Sequence, residues 1–395
     1  MNELPDNYNS NHILIAGAGP AGLMLGHLLH QRDIPFHIVE KNARSHQHSR
    51  AIGIHPISLK IFEEIGVLDL FLEDAFKISK GAAYLERTFV GSIDFSPLPF
   101  KHPFILTLPQ YRTERILRDD LLTKQPGCIS YSTAVEDFKR DKDKVRVRLR
   151  DQCTHTPDEM ALEVAASFLV GCDGKNSQVR QKTSLQWEGS PYPGTYVMGD
   201  FQGRPPNGIP AIIHLHPDGV VESFALPKNR QRWVVKTDRN AGAPSNIVRG
   251  EVQRRVGSNL TDHRCLHSSR FGIERYKAHK FFDGRIILAG DAAHVVSPIG
   301  GQGMNLGWMG TRTLADCLVS IYRGSTYSDQ LKIYDSIQQR RASKAITRAE
   351  INMKLGQAYH WKLPRRVLLN LLLNTPLERI TARLFTMHGL DRWPV

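Results

Sequence analysis

The sequence predicts an α/β plus α+β protein: a Rossmann-like dinucleotide-binding unit, an inserted antiparallel β-sheet and C-terminal helices. Three observations predict it. An apolar run, HILIAG at 12–17, passes through a glycine-rich turn into a helical stretch and a second run, FHIVE at 36–40. From Trp187 to Asp238 short β-rich runs alternate with Pro and Gly. A further buried-strand run, RIILA at 285–289, then precedes long helical stretches.

The first run is short, apolar and ends in glycine, the pattern of a buried parallel strand. Pro20 to Gln31 has helical spacing, and a proline at a helix start costs nothing because its missing N–H would be unpaired anyway. Strand, turn, helix and strand within about 30 residues make a βαβ unit. Pro56 to Leu72 reads as helix broken at Gly66, Gly81 to Phe95 as strand, Ser96 to Pro103 as a Pro-rich connection, and Arg112 to Lys124 as an amphipathic helix. Lys139 to Arg150 (KRDKDKVRVRLR) has the alternation of a hairpin with one polar face, and Leu162 to Val170 reads as strand. TYVMGDF, AIIHLH, VVESFAL and RWVVKT give the antiparallel signal of the insert. Gln302 to Ser320 and Ser328 to Leu355 are helical, and Leu363 to Leu384 is a helix pair split at Pro376. The order predicts a discontinuous first domain (1–80, 104–183 and 276–325), a β-rich domain (81–103 and 184–275) and a C-terminal helical region (326–395).

Composition is that of an ordinary globular chain: 41% hydrophobic and 23% charged over 395 residues. The five cysteines, at 128, 153, 172, 265 and 317, form no C-x-x-C pair, which removes the zinc-knuckle and disulfide-reductase patterns and suits a reducing compartment. MNELPDNYNS carries no apolar signal core, and no stretch approaches the roughly 20 apolar residues of a membrane span, so a cytoplasmic location is expected. The net charge of +13 is spread along the chain. Its densest cluster has only Phe138 beside it, which reads as a solvated surface, with no nucleic acid expected as partner. Leu363 to Leu373 (LPRRVLLNLLL) is either a packed helix or a peripheral membrane contact.

Gly17-Ala-Gly19-Pro20-Ala21-Gly22 fits G-x-G-x-x-G in the required strand–turn–helix context, with Glu40 ending the second strand. Gly17 makes the tight turn, Gly19 admits the pyrophosphate and Gly22 lets the helix close on the sheet. Free N–H groups at the helix start attract phosphate, and Glu40 can accept both ribose hydroxyls. This turn does not separate one dinucleotide from another. Two later motifs point to FAD. Gly171-Cys-Asp173-Gly174 through Ser177 and Arg180 ends a strand with an Asp-Gly turn and residues suited to an anionic ligand. Gly290-Asp291 ends a buried strand with a carboxylate suited to ribitol or ribose hydroxyls, and the glycine run after Pro298 opens another helix.

With these residues in view, the chain resembles the single-component FAD-dependent aromatic hydroxylases with the para-hydroxybenzoate hydroxylase fold, the group A flavoprotein monooxygenases. The likeness rests on GAGPAGL at 17–23, SRA at 49–51, LPQYRTERIL at 108–117, GCDGKNSQVR at 171–180 and GRIILAGDAAHVVSPIGGQGMNLG at 284–307. It implies a Rossmann-like FAD-binding domain in which Asp291 binds the ribitol side and Gly301, Gly303, Met304 and Asn305 line the pyrimidine edge of the flavin. It also implies that Gln110 contacts the flavin chain, and that Lys41, Arg44 and Arg50 reach the cofactor or a transient NAD(P)H. Asp173 is then linked to both nucleotides. The sequence departs from the family where an Asp-Ala pair usually follows Gly307: Gly310 and Thr311 stand there.

The implied reaction is insertion of one oxygen atom from O2 into an aromatic or polyketide-like molecule, through a C4a-hydroperoxyflavin after reduction by NAD(P)H. The cofactor carries that chemistry, so few obligatory side-chain catalysts are expected. The candidates are Pro298, a rigid turn against the flavin or merely a segment end, and His294, a proton shuttle or a packed imidazole. No second G-x-G-x-x-G follows a strand, so NAD(P)H is expected to visit transiently. Substrate contacts are expected near Tyr84, Ile212, His214, Phe224 and Trp233, each of which also suits a core position. No metal is expected, and the protein is a monomer or homodimer on this reading. An FAD-dependent reductase of isoprenoid (geranylgeranyl reductase-like) type and a basic-surface binding protein with structural FAD are the alternatives.

Overall fold

The structure, a computed structural model, describes residues 8–43, 51–152, 161–238, 241–356 and 362–390. Strand Ile13–Ala16 is apolar at all four positions because both of its edges are paired and both faces covered. It runs parallel to Phe36–Val39 on one side and to Phe168–Gly171 on the other. Ile286–Leu288 extends the sheet beyond Phe168–Gly171, also in parallel, and Phe282–Asp283 closes that edge in the antiparallel sense. Ile129–Ser130 forms the other edge, giving six strands with the first strand near the centre. Helices Pro20–His30 and Gln302–Tyr322 pack together against this sheet, and Trp308 Nε1 donates to the carbonyl of Pro20 at 2.9 Å.

An eight-stranded sheet stands beside it. Its order is His294–Val295, Cys265–Ala278, Trp187–Gln202, Arg230–Thr237, Val221–Leu226, Ala211–Leu215, Lys80–Leu85 and Thr88–Asp94. All its pairings are antiparallel except that of Ala211–Leu215 with Lys80–Leu85. Helix Pro244–Val256, not expected from the sequence, covers one face: Ile247, Val248 and Val252 pack on Val197, Phe201, Val221, Trp233 and Val235. The C-terminal helices Lys362–Asn374 and Leu377–Phe385 meet the other side through Leu369, Leu373 and Ala382. The polar-faced hairpin is present as Thr133–Arg140 and Val145–Asp151, the latter alternating buried and exposed at every residue.

Strand Cys265–Ala278 runs through the expected boundary at 275/276, and His294–Val295 joins the eight-stranded sheet although it follows the strand at 286–288. The chain therefore crosses between the sheets again just before the glycine run. The long helix Tyr327–Gly356 packs on Gln302–Tyr322, so the helical region is continuous with the first sheet's layer.

Candidate active site

The carboxyl ends of the parallel strands open into one cavity of about 730 Å³, which continues to the inner face of the eight-stranded sheet. Gly17, Gly19, Pro20 and Ala21 form its floor. Gly17 has φ +107°, and a Cβ there would lie 2.6 Å from the carbonyl oxygen of Cys172. Gly22 is buried and does not line the cavity; a Cβ on it would sit 1.9 Å from the carbonyl oxygen of Gly17. Its place is the helix–turn contact. Around Gly19 nothing would meet a Cβ within 4 Å, so the backbone there is open to a ligand.

Glu40 is held on both oxygens. Oε2 accepts from Ala18 N at 2.8 Å, and Oε1 accepts from the backbone and side chain of Asn42 at 2.9 and 2.6 Å. An ionised carboxylate has about four acceptor sites, so with three filled one remains, on Oε2, for a ligand hydroxyl. Lys41 lies beside it on the cavity, whereas Arg44 and Arg50 fall outside the described residues. Helix Gln110–Lys124 begins two residues earlier than expected, after Pro109. Gln110 donates to Glu114 at 2.8 Å, and Arg118 reaches the same cavity one turn further on. Burial, with Glu40 adding to it, pushes the Glu114 carboxyl above its usual range. Glu114 and Arg118 are not among the residues the motifs single out, although Gln110, Glu114 and Arg118 stand at i, i+4 and i+8, the spacing of one helix face.

Asp173 lines the cavity with Oδ2 accepting from Val179 N at 3.1 Å, while its buried Oδ1 has no hydrogen-bond partner among the described residues. Ser177 and Arg180 are otherwise engaged. Ser177 Oγ caps Arg180 N, and the Arg180 guanidinium donates to the carbonyls of Ala292 and Lys175 and lies 3.7 Å from the Trp187 ring centroid. They tie two motifs together and do not line the cavity, which corrects the expectation of an anion site. Asp291 and Pro298 are exposed on the cavity wall, and Gly301, Gly303 and Met304 follow. Gly301 caps helix Gln302–Tyr322 in the left-handed conformation, so this helix start, like that of Pro20–His30, lies on the cavity. Unpaired N–H groups and the dipole at such ends favour anionic ligand groups.

Asn305 was expected at the flavin edge and instead is fully buried. Its Oδ1 accepts from His55 N and Ser58 Oγ, and its Nδ2 donates to the carbonyls of Gly53 and Gly301, so all its capacity is spent. It clamps the glycine run onto residues 53–58. His294 is also away from the cavity. Its Nε2 lies 3.0 Å from the Gln338 amide nitrogen, its ring packs edge-on against Phe281, and burial lowers its pKa to about 4. A proton-shuttle role has no path to a ligand here. The glycine at 310 has its reason in the same place: a Cβ there would come within 2.7 Å of the Gln338 amide.

Of the five expected substrate residues, Phe224 alone lines the cavity. Ile212 and His214 lie one residue out of phase with Ile213, which does. Trp233 points into the core under helix Pro244–Val256, and Tyr84 stacks on His214 at 4.9 Å on the same outer side. A strand reverses its facing at every residue, so a one-residue error moves the side chain through the sheet. The inner face carries Tyr196, Met198, Ile213, Glu222, Phe224 and Val234, with Leu373 and Phe385 closing it from the C-terminal helices.

The shape and donor set fit an extended dinucleotide: a carboxylate with a free acceptor site at one end, two helix starts, an Asp173 oxygen without a partner among the described residues between, and an apolar chamber at the far end. A family described as FAD binding domain matches residues 10–349. The chain is 29% identical over 352 residues to the uncharacterized aromatic compound monooxygenase YhjG of Bacillus subtilis strain 168, covering 87% of this chain and 68% of that protein. It is 28% identical over 333 residues to pentachlorophenol 4-monooxygenase of Sphingobium chlorophenolicum, covering 82% of this chain and 60% of that one. The chain thus spans roughly two thirds of the length of these curated relatives. Among solved structures, the p-nitrophenol 4-monooxygenase of Pseudomonas putida DLL-E4 superposes with a TM-score of 0.88 over 98% of this chain and 100% of that one; its 19% identity shows a shared fold. Anhydrotetracycline hydroxylase of Streptomyces rimosus superposes with a TM-score of 0.79 at 26% identity, covering 97% of this chain and 77% of that one.

Proposed function

The chain belongs to the FAD binding domain family, and on that premise we propose that it is an NAD(P)H-dependent monooxygenase that places one oxygen atom of O2 on an aromatic or polyketide-like small molecule. The observation that carries this reading is the continuity of the cavity, from the dinucleotide turn to an apolar chamber under the eight-stranded sheet. A chamber of that kind holds a flat apolar substrate beside a cofactor and keeps water from it. The named activities of the relatives, on pentachlorophenol and anhydrotetracycline among others, support the same substrate class.

FAD, when bound, supplies the electron and oxygen-transfer chemistry. The chain's part is to bind and orient. Glu40 would accept a hydrogen bond from a ribose hydroxyl, the helix start at Pro20–Gly22 would hold the pyrophosphate, and Asp173, Asp291 and Gln110 would hold the linker between the two ring systems. The helix start after Gly301 would hold the flavin end, with Asn305 fixing the loop and Pro298 stiffening its approach. No side chain is assigned a covalent role. NAD(P)H is a transient visitor on this reading, the chain divides into cofactor, substrate and helical regions with Cys265–Ala278 and His294–Val295 carrying the substrate sheet past the expected 275/276 boundary, and the cytoplasm suits the scattered thiols. None of the helices described is long and apolar enough to cross a membrane.

The test is oxygen uptake by the purified, FAD-loaded protein with NADH or NADPH across a panel of phenols and polycyclic aromatics. Substrate-dependent oxygen consumption with a product heavier by one oxygen atom is expected. A colourless protein that takes up no FAD sinks the proposal, as does substrate turnover that proceeds equally well without oxygen.

A further inference from the structure

Glu222 is a carboxyl where the chamber has least use for one. It sits on strand Val221–Leu226, is 8% exposed, and faces the cavity between its register partners Ile213 and Val234. Phe224 and Met198 continue the apolar wall, and Tyr196, stacked on Phe271 with 5.8 Å between centroids, has its pKa raised by burial, with the nearby Glu222 adding to it. Arg232, which faces the same cavity from the adjoining strand, does not serve as partner. Its guanidinium is held bidentately by Asp200, at 2.6 and 2.8 Å. Burial is the influence acting on the Glu222 proton, with no ion pair or hydrogen bond to a described residue among its causes. A buried carboxyl without a donor is costly in the free protein, and a ligand that brings the donor relieves that cost.

We propose that Glu222 anchors the substrate by accepting a hydrogen bond from a hydroxyl or amine group on a flat aromatic molecule, and that it turns aromatic carboxylates away. This rests on the chamber being the substrate site. The carboxyl is a positioning group: it fixes which edge of the ring points away from the cofactor end of the cavity. A substrate carboxylate would face a like charge inside an apolar wall, where the guanidinium of Arg232 is held by Asp200.

Three ligands of one skeleton test this on the FAD-loaded protein without NAD(P)H: 2-naphthol, 2-naphthylamine and 2-naphthoate, titrated at pH 8 and read by perturbation of the flavin absorbance. The hydroxyl and amine compounds are expected to bind about tenfold or more tighter than the carboxylate, the effect of one charge-assisted hydrogen bond gained against one repulsion. In Glu222→Gln the difference is expected to shrink to within about threefold while FAD is retained. Should that variant lose FAD, Glu222→Leu, which completes the apolar wall, serves the same comparison. Equal or tighter binding of 2-naphthoate by the unmodified protein overturns the inference, as does a preference that survives in the variant or a flavin that responds to none of the three. The oxygen-uptake assay separates this from the proposed function: a preserved ligand preference without oxygen consumption defeats the monooxygenase reading and leaves the anchor standing.

Discussion

Gly22 lies directly under Gly17: a Cβ added to Gly22 would sit 1.9 Å from the Gly17 carbonyl oxygen, closer than any real contact. A Cβ added to Gly19, two residues from the turn's start, would meet nothing within 4 Å. The two glycines should therefore fail differently. Gly22→Ala is expected to lose FAD and to lower stability by about 1–3 kcal/mol, because the helix must move off the turn. Gly19→Ala is expected to lose FAD with little change in Tm, because the methyl group meets only the ligand. Thermal melts of the FAD-free proteins beside FAD-to-protein absorbance ratios check both.

Glu40 is pre-oriented by Ala18 and Asn42 before any ligand arrives. Glu40→Gln keeps the shape and removes charge and acceptor capacity. The Kd for FAD is expected to rise roughly tenfold to a hundredfold, the range for hydrogen bonds to a charged group. Fluorescence titration of the FAD-free protein measures it, and an unchanged Kd removes Glu40 from the site.

Phe224 and Trp233 occupy opposite faces of the same sheet. Trp233→Ala is expected to cost about 3–5 kcal/mol of stability as a large buried ring is lost under helix Pro244–Val256. Phe224→Ala is expected to leave the denaturant midpoint nearly unchanged and to weaken aromatic ligand binding. The reverse pattern would show that the facing of this strand pair is wrong.

Four histidines, His27, His37, His55 and His294, are buried and each has its pKa lowered to about 4, chiefly by desolvation. Their neutral forms are the ones the fold accepts. Above the unfolded value of about 6.5 they carry no penalty; as pH falls from there toward 4 the unfolded chain takes up protons that the folded chain refuses. Stability should fall across that window, by an amount on the order of 3 kcal/mol or less for each group. His55 donates to the Gly300 carbonyl, so release of FAD should accompany the loss. Melting temperature and free-flavin fluorescence between pH 7 and 4.5 check this; a flat profile contradicts it.

The Glu222 carboxyl is pushed up to about 7 by burial. Ionised, it accepts a charge-assisted and therefore stronger hydrogen bond than the neutral acid does, so affinity for neutral 2-naphthol should strengthen from pH 6 to pH 8 and the slope should vanish in Glu222→Gln. Tyr196, which faces the same chamber, is pushed further up by burial and stays neutral over that range.

The cofactor half was legible because each of its residues is fixed by a local rule. Gly17, Gly19 and Gly22 answer to a turn, Glu40 to the end of a strand, and Asp291 and Gly301 to the junction of strand and helix. The chamber was not legible, for a physical reason visible in its strands. Tyr196 to Phe201 and Gln231 to Val235 are buried at every position, one face by the helix at 244–256 and the other by the chamber. Alternation disappears when both faces are covered, so no pattern in the sequence separates Trp233 from Arg232 or Ile212 from Ile213. Asn305 failed otherwise: its residue type and motif are those of a ligand contact, and only its four partners reveal a clamp. Glu222 carried a weak signal, an acid within the apolar run VVESFAL.

The Gly17 turn is shaped by the carbonyl of Cys172, 155 positions along the chain, and the central strand lies between partners at 36–39 and 168–171, with 286–288 beyond. On the ribosome the nucleotide loop emerges early and waits, one edge of its strand unpaired, until the partner strand at 168–171 has been translated. Contacts at such separation make folding slow and leave an open edge available to other chains. Because the turn is complete only when that strand is in place, FAD is expected to latch an assembled sheet and not to seed its assembly.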